Sequence, residues 1–572
     1  MQESQSPLKT VGPIPFGPLP NERQLFHFGL KKAFFHFGIN TFTGAEWGDG
    51  TEALELFCPD SLDVRQWIRS IKAAGFTLAI LTAKHHDGFC LWPTAHSERS
   101  IRNTPYRNGQ GDLVREFTDA CHEYGILVGL YLSPWDRYSP LWGTDAYSDE
   151  YAAQLTELMT GYGRIDEVWW DGAGSDKTHY RWDEWTAIIR RHQPQAAIFG
   201  SLGAAPYVDF RWVGNERGEA GETHFAVIDE QYLAVETPKL LYTGTHGCGR
   251  FIPSETDVSI RPGWFYKAEQ DRHVKSVAAL NRLWFESVGR NSMMLLNFPP
   301  DKRGLLCERD VQNAVDSHRC IQQMLAVNYA ADALCTASSV LSEAYSPDKA
   351  VLPDDRLFYA AAEEARTVTI DLRLPKAQTV NVCCLGEAIQ YGERITGFRL
   401  EAVTDDKAVL LAEGTSVGHL RALRFAEGSY SHFRLTITEA SAAPILRTIG
   451  LYRFCDVPEE LPQDMSDVEL SQLQGATTEY NSTKTEATVS FGGIYPFNFV
   501  KFDLEAKGTY TLFAFDGLSY HKVTDGVTNP KGQVKLTLSQ PQAGSYRILL
   551  QTSAPLVQTA GICVHLKRAE RR

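Results

Sequence analysis

Short apolar runs alternate with helical patterns along roughly the first 300 residues of the chain. Seven runs have the length and composition of buried strands. They are Ala33–Ile39, Leu78–Leu81, Ile126–Leu132, Val168–Trp170, Ala197–Phe199, Phe210–Val213 and Met293–Asn297. Apolar residues at helical spacing predict helices at Asp63–Ala74, Leu113–Tyr124, Leu155–Tyr162, Trp182–His192 and Asp271–Val288. Strands that are repeatedly followed by helices pair in parallel through crossover connections.

Such strands either close into an eight-stranded barrel or form an open, doubly wound sheet. No glycine-rich phosphate loop follows the first predicted strand, which weakens the case for a nucleotide-binding sheet. We therefore predict an α/β fold with a TIM-like (β/α)8 barrel as the catalytic domain over residues 1–326. A predicted helix at Glu308–Leu325 ends this domain.

Beyond the barrel the pattern changes to short alternating segments, which are typical of antiparallel sandwiches. We predict one β-sandwich domain over residues 327–456 and a second over residues 457–572, separated by a polar, acidic linker at Pro458–Gln474. The predicted strands of the first are Val368–Leu372, Gln378–Cys383, Gly397–Val403, Ala408–Ala412, His432–Thr438 and Ile445–Tyr452. Those of the second are Ala487–Phe491, Asn498–Leu504, Gly508–Ala514, Gln533–Leu538 and Tyr546–Gln551.

The composition narrows the function classes. Of the 572 residues, 43% are hydrophobic and 22% are charged, as in globular proteins. The net charge of −14 argues against a general affinity for nucleic acid. No apolar run approaches the length of a membrane helix, and no signal peptide is visible at the start. The 11 cysteines lack disulfide-framework or metal-site spacing, so we interpret them mostly as buried small residues.

A carboxylate closes one of the predicted strands, in Val168-Trp169-Trp170-Asp171-Gly172. At the carboxyl end of a barrel strand, Asp171 would lie where such barrels keep their chemistry. The two tryptophans would offer a wall on which a sugar ring can stack. Further candidates follow other predicted strands: His36, Glu46, Trp47, His85, His86, Tyr131 and Glu216.

Paired carboxylates at a barrel mouth point to glycoside hydrolysis. One carboxylate attacks or stabilises the anomeric carbon, and the other handles the proton of the leaving group. Asp171 and Glu216 could face each other across the mouth, although spacing alone does not establish this. The two groups need contrasting environments, since the acid must stay neutral and the nucleophile ionised.

Structural interpretations compete with these roles. Asp171 could be a turn residue or a helix cap, Glu216 a solvated loop carboxylate, and His36 a core histidine. Trp169 or Trp170 could simply fill the barrel. His85 and His86, with Asp87, could bind a metal, but adjacent side chains on an extended segment point in opposite directions. Hydrogen bonding to sugar hydroxyls is the simpler role for these histidines.

Four segments in order resemble glycoside hydrolase family 29, the α-L-fucosidases: FHFGINTFTGAEW, AKHHDGF, VWWDGAG and WVGNERG. The resemblance covers roughly residues 25–330. AKHHDGF and the WWDG strand end are specific motifs of that family. The NERG arrangement resembles the subfamily that prefers α-1,3- and α-1,4-linked fucose in branched, Lewis-type glycans.

The resemblance implies a role for each matching residue. Asp171 would be the nucleophile that forms a covalent fucosyl–enzyme intermediate, and Glu216 the general acid and then the general base. His36, Glu46, Trp47, His85, His86, Tyr131 and Trp169 match positions that hold fucose, and Trp264 would pack on the fucose methyl group. The family retains anomeric configuration and uses no metal or other cofactor in catalysis. The expected partners are fucosylated oligosaccharides or glycoconjugates, and such substrates favour a bacterial periplasm or cell exterior.

Other interpretations stay open. Trp135, Asp136 and Tyr138 are candidates for contacts with a neighbouring galactose. The second sandwich could bind carbohydrate through Tyr510, Phe515 or Tyr520, although no tryptophan follows Trp284. Asp516-Gly517 and Asp525-Gly526 predict turns, and nothing else supports a structural calcium ion there. The rival functions are a broad-specificity α-L-fucosidase, another barrel glycosidase with the same carboxylate pair, and a catalytically silent glycan-binding protein.

Overall fold

The computed structural model describes residues 12–174, 180–200, 204–229, 238–404, 407–457, 468–469, 471, 477–515 and 520–566. The predicted linker at Pro458–Gln474 lies mostly outside these residues, and so does Asp516-Gly517. A closed, parallel eight-stranded barrel is followed by two antiparallel sheets, which confirms the predicted fold class. The division into domains at residues 326 and 456 stays a prediction.

Eight strands form the barrel, in the order β1-β10-β9-β6-β5-β4-β3-β2. They are β1 (Lys32–Phe35), β2 (Leu78–Lys84), β3 (Leu127–Leu132), β4 (Glu167–Trp170), β5 (Ala197–Gly200), β6 (Phe210–Trp212), β9 (Ser254–Ser259) and β10 (Met293–Asn297). A short antiparallel pair, β7 (Val227–Ile228) and β8 (Arg250–Phe251), lies between β6 and β9. The β9 strand is absent from the sequence-based prediction.

Nine α-helices are described, all before the two seven-stranded antiparallel sheets. They are α1 (Glu22–Phe28), α2 (Ile39–Thr43), α3 (Val64–Ala73), α4 (Leu113–Tyr124), α5 (Asp145–Gly161), α6 (Trp182–His192), α7 (Pro238–Thr243), α8 (Val277–Glu286) and α9 (Glu308–Leu325). The helix predicted at Asp271–Val288 is shorter in the structure, because the Ser276 side chain caps α8 at its amino end. None of the helices in the described ranges is long and apolar enough to cross a membrane.

Apolar residues fill two layers of the barrel. Side chains such as Trp67, Phe117 and Leu155 pack between the strands and the surrounding helices. Inside the barrel, Phe34, Phe199 and Phe210 belong to a second buried cluster. The barrel floor is charged as well as apolar.

At the floor, the Lys32 ammonium contacts the carboxylates of Glu167, at 2.8 Å, and Glu255. All three side chains are fully buried. Buried charges of this kind are tolerated only when they are paired. The pairing therefore constrains the relative positions of β1, β4 and β9, which carry these three residues.

The first antiparallel sheet has seven strands and packs on α8 and α9 through a small apolar cluster. Its strands are β11 (Leu334–Ala337), β12 (Tyr359–Ala360), β13 (Val368–Glu387), β14 (Ile395–Thr404), β15 (Lys407–Gly414), β16 (Arg421–Ala440) and β17 (Ile445–Tyr452). The two strands predicted at Val368–Leu372 and Gln378–Cys383 are one bent strand, β13. Its register shifts between Arg373 and Gln378, where Pro375 has no amide hydrogen to donate.

The terminal sheet also has seven strands. They are β18 (Val468–Glu469), β19 (Thr477–Tyr480), β20 (Glu486–Asp503), β21 (Thr509–Phe515), β22 (Tyr520–Val527), β23 (Gln533–Thr552) and β24 (Cys563–Leu566). The turn predicted at Asp525-Gly526 is wrong, because both residues pair with β21 inside the edge strand β22. An edge strand with mostly exposed side chains tolerates such polar residues and glycine.

Candidate active site

A cavity of about 170 Å³ opens at the carboxyl ends of the barrel strands. Nine of the ten predicted site residues line it, the exception being Glu46. Its walls are Phe34, His36, Trp47, His85, His86, Tyr131, Trp169, Asp171, Gly172, Ala173, Trp212, Glu216, Asp257 and Trp264. The barrel therefore brings together residues that are widely separated in the sequence.

Asp171 follows β4, and hydrogen-bond donors surround its carboxylate. The Tyr131 hydroxyl donates to Oδ2 over 3.1 Å, and the Ala173 amide donates to Oδ1 over 2.8 Å. The His86 Nε2 atom lies 3.7 Å from Oδ2. The Tyr131 hydroxyl and the Ala173 amide stabilise negative charge on the carboxylate. Burial and the neighbouring Asp171 charge raise the pKa of Tyr131, so its hydroxyl keeps the proton that it donates.

Glu216 lies on the loop after β6 and has a different environment. Desolvation in the cavity raises the pKa of its carboxyl well above the ordinary value, and the charges of Asp171 and Glu46 add to this effect. A hydrogen bond of 3.2 Å from Trp264 Nε1 to Oε2 acts in the opposite direction. The two carboxyl groups of this cavity therefore have different environments: hydrogen-bond donors contact Asp171, whereas desolvation dominates at Glu216. Acid–nucleophile pairs need such a contrast.

The hydrogen-bond network defines the proton positions of His36. The Asn297 side-chain amide donates to Ser259 Oγ and to the Trp264 carbonyl, which leaves its Oδ1 as an acceptor. His36 Nδ1 lies 2.9 Å from that oxygen and must therefore donate to it. Burial lowers the pKa of His36 to about 3, so the ring is neutral and its Nε2 atom can accept a hydrogen bond from a hydroxyl group.

His85 and His86 follow β2 as predicted. His86 Nδ1 lies 2.8 Å from Ser133 Oγ, whose own hydroxyl donates to the Trp135 carbonyl. His86 is therefore the donor at Nδ1, and its Nε2 is an acceptor on the Asp171 side. Burial lowers the pKa of both histidines, which favours neutral rings. No group of three potential metal-ligating side chains occurs among the residues that the structure describes.

Aromatic rings shape the walls of the cavity. Trp169 stacks on Phe199 at 4.0 Å, and its Nε1 donates to Glu255 over 2.9 Å, which connects the wall to the charged floor. Trp264 lies 5.0 Å from the His36 ring. Trp47 lies at the mouth and is 58% exposed, with its ring nearly perpendicular to that of His86. Apolar faces combined with a few directed polar atoms are typical of sugar-sized binding sites.

Glu46 lies behind the cavity wall. Its carboxylate accepts a hydrogen bond of 2.8 Å from the Trp264 amide and pairs with Lys267 at 3.0 Å. These contacts hold the segment that carries Trp264. In this structure Glu46 supports a wall residue, and the contact with the sugar that the family resemblance implies stays a prediction.

Asp257 and Trp212 line the cavity but escaped the sequence-based prediction. Asp257 is 4% exposed and accepts a hydrogen bond of 2.8 Å from Trp212 Nε1. Burial, and then the nearby Glu216 charge, raise the pKa of Asp257 well above its ordinary value. The signal that could have located it is the spacing in Ser254–Ser259, where Glu255, Asp257 and Ser259 recur at every second position, as on one face of a strand.

The three candidates for galactose contacts differ in their surroundings. Asp136 is buried: Lys84 donates to its Oδ2, and the amides of Tyr138 and Ser139 donate to its Oδ1. Both carboxylate oxygens of Asp136 therefore accept hydrogen bonds from within the protein. Trp135 packs edge-on against Trp47 with ring centres 5.6 Å apart, and Tyr138 is 41% exposed. Trp135 also contacts the His86 ring at 4.9 Å, so it extends the wall of the cavity beyond Trp47.

Comparison with known proteins gives one consistent result. The α-L-fucosidase family model matches residues 31–317. An α-L-fucosidase of Arabidopsis thaliana is 37% identical over 462 residues, covering 78% of this chain and 90% of the plant protein.

Solved structures agree with these sequence matches. A glycoside hydrolase 29 family member from a rumen bacterium has a TM-score of 0.71 and 30% identity, covering 97% of this chain and 100% of that one. A family 29 fucosidase of Ruminococcus gnavus in complex with fucose has a TM-score of 0.72 and 28% identity, covering 78% of this chain and 98% of that one. The chain belongs to glycoside hydrolase family 29, the α-L-fucosidases.

Proposed function

We propose that this α-L-fucosidase is a retaining exo-enzyme with Asp171 as the nucleophile and Glu216 as the acid and base. The Asp171 carboxylate bonds to the anomeric carbon of fucose as the glycosidic C–O bond breaks, and Glu216 gives its proton to the departing oxygen. A water molecule then attacks the same carbon, Glu216 takes a proton from it, and the ester bond to Asp171 breaks.

The observation that carries this proposal is the contrast between two carboxyl groups in one small cavity. Asp171 accepts hydrogen bonds from Tyr131 and Ala173, whereas desolvation raises the pKa of Glu216. The first arrangement suits an ionised nucleophile and the second a protonated acid. The cavity volume of about 170 Å³ suits a single terminal sugar, which supports removal of fucose from chain ends.

The nucleophile is tested by Asp171→Gly. Turnover of an aryl fucoside should fall by more than about 10³-fold, because no covalent intermediate can form. Added azide should partly restore turnover by attacking in place of the missing carboxylate. Unchanged turnover in this variant would contradict the assignment.

The acid is tested by Glu216→Ala with a series of leaving groups. Substrates whose leaving group needs protonation should lose about 10²–10⁴-fold in kcat, and activated aryl fucosides much less. Equal losses across the series would count against an acid role for Glu216.

We further propose a preference for α-1,3- and α-1,4-linked fucose in branched, Lewis-type glycans. The NERG sequence around Glu216 supports this preference through its resemblance to that subfamily. The half-buried ring of Trp135 beside the cavity and the exposed ring of Tyr138 on the same loop are suited to contact a second sugar branch.

The linkage preference is tested with an aryl fucoside, a Lewis trisaccharide and 2′-fucosylated lactose. High kcat/KM on the Lewis trisaccharide alone supports the branched-glycan preference. Comparable activity on all three substrates would instead support a broad-specificity enzyme.

A further inference from the structure

The loop that carries Glu216 is held by contacts from outside the barrel rim. We call residues 214–222 the acid loop. On the barrel side, the Ala220 amide donates to the Glu286 carbonyl over 2.8 Å, and Arg290 donates to the Ala220 carbonyl over 2.9 Å. Gly218 has φ +77°, and a side chain there would collide with Val258, so the loop packs closely on β9. These contacts fix the base of the loop.

The first antiparallel sheet holds the end of the acid loop. The Glu222 carboxylate accepts from Arg421 of that sheet and from Arg290 of the barrel, each at 2.5 Å. The acid loop therefore bridges the barrel and its neighbouring sheet.

The terminal sheet contacts the acid loop next to Glu216 itself. Arg217 Nη1 lies 3.1 Å from Nε2 of His521, a residue 304 positions further along the chain. His521 lies on β22, the edge strand of the terminal sheet. Arg217 also pairs with Glu219 within the loop, so its guanidinium joins the loop to the edge strand.

The chemistry of this contact defines its protonation state. A guanidinium has only donors, so His521 must accept through an unprotonated Nε2. Burial lowers the pKa of His521, and the positive charge of Arg217 lowers it further, while Glu219 acts in the opposite direction. His521 is thus kept in the neutral form that the contact requires.

We propose that His521 is a positioning residue of the active site, through which the terminal sheet holds Arg217 and, with it, the Glu216 carboxyl. The proposal rests on the function of Glu216 proposed above. A general acid must lie within hydrogen-bond reach of the glycosidic oxygen, and small displacements are costly. The terminal sheet then affects kcat/KM for substrates whose leaving group is another sugar, because such a leaving group needs the proton that Glu216 donates.

The test compares full-length His521→Ala and His521→Gln with the unaltered enzyme. The substrates are fucosyl fluoride, whose leaving group needs no proton, and a fucosylated oligosaccharide. His521→Ala should lower kcat/KM on the oligosaccharide by about threefold to tenfold, the effect of one lost hydrogen bond, and leave fucosyl fluoride hydrolysis unchanged. His521→Gln should recover most of the loss, because its amide oxygen can accept from Arg217.

Lys522→Ala is the matched control. Lys522 is the next residue of the same edge strand, and its ion pair with Asp525 stays within that strand. This variant should behave like the unaltered enzyme on both substrates. Thermal unfolding of all variants shows whether the terminal sheet is intact.

Three results would overturn the proposal. Equal losses on both substrates would show a general structural effect, and no loss on the oligosaccharide would show that the contact does not position Glu216. A His521→Gln variant as impaired as His521→Ala would exclude the hydrogen bond as the cause. An unaltered enzyme that is inactive on fucosyl fluoride would instead overturn the proposed function together with this inference.

Discussion

Tyr131 touches the proposed nucleophile with a single hydroxyl group, which makes it a sensitive probe of the site. Tyr131→Phe removes the donor to Asp171 and little else, and kcat/KM should fall by about tenfold to a hundredfold, since hydrogen bonds to charged groups contribute roughly 1.5–3 kcal/mol. Steady-state kinetics on an aryl fucoside measure the effect.

Tyr151→Phe is the control for Tyr131→Phe. The Tyr151 hydroxyl is equally buried but donates to the Leu132 carbonyl, away from the cavity. Its loss should lower the melting temperature without a comparable fall in kcat/KM. If both variants lose activity alike, the hydroxyl of Tyr131 has no special part in catalysis.

Trp264 gives a prediction about pH dependence. Its indole donates to Glu216, which favours the ionised form and lowers the Glu216 pKa. Trp264→Phe removes this donor, so the pKa should rise and Glu216 should stay protonated to higher pH. The alkaline limb of kcat/KM should therefore move up by about one pH unit or less.

Trp212→Phe provides the contrast. Its indole donates to Asp257, whose pKa is already raised well above its ordinary value. Losing that donor moves the pKa of Asp257 further in the direction in which it is already shifted, so the alkaline limb, which reports on Glu216, should stay where it is. Identical shifts in both variants would show that the limb does not report on Glu216.

Among the secondary-structure elements, runs of apolar residues located the barrel strands whose residues are mostly apolar, but not the polar strand. Seven of its eight strands were located from such runs, and α6, α9 and β17 have the predicted boundaries. The β9 strand was missed because Ser254–Ser259 is polar yet fully buried, which hydrophobic periodicity cannot show. Strand β22 was missed because its exposed edge carries polar residues and a glycine.

The candidate site was predictable for a similar reason. Residues directly after apolar strands, such as His85 and Asp171, could be located because barrel strands end at one rim. Asp257 depended on the missed strand, and the supporting position of Glu46 depends on a long-range contact with the Trp264 amide. Contacts of that kind follow from the packed fold rather than from local sequence.

Strand β9 also carries Glu255, which predicts how stability responds to pH. Burial is the main reason that the pKa of Glu255 is raised from 4.5 to about 7, with the Glu167 charge adding to it. The folded state therefore binds a proton more tightly than the unfolded chain. This stabilisation is complete below about pH 4.5 and is lost as the pH rises through about 7.

Glu255→Gln should remove that contribution to the pH dependence. The free energy of unfolding, measured by denaturant titration between pH 4.5 and 7, should fall less steeply in the variant than in the unaltered protein. Parallel pH profiles would contradict the raised pKa of Glu255.

At the scale of the whole molecule, a buried carboxylate joins the barrel to the first antiparallel sheet. Glu393 is 4% exposed and accepts hydrogen bonds from the Ala226 amide, at 3.0 Å, and from Asn291 Nδ2, at 2.6 Å. Both donors belong to the barrel region. The two parts are therefore linked by polar contacts that neither could satisfy alone.

Glu393→Ala should destabilise the protein by about 2–4 kcal/mol, because two buried donors lose their charged partner. Glu393→Gln keeps an acceptor oxygen and should cost clearly less. Chemical unfolding measures both changes. If Glu393→Ala unfolds at the same denaturant concentration as the unaltered protein, the interface does not depend on this carboxylate.

The 304 residues that separate Arg217 from His521 have a consequence for biosynthesis. A ribosome that adds about 5–20 residues per second needs roughly 15–60 seconds to complete that interval. The last barrel strand ends at Asn297 and α9 ends at Leu325, so the barrel can fold within this interval with its nucleophile in place, while the strand that supports Arg217 has yet to be made. Nascent chains would then cleave activated fucosides before they acquire full activity on glycans. Chains clipped at the carboxyl end would cleave activated fucosides but never acquire that activity.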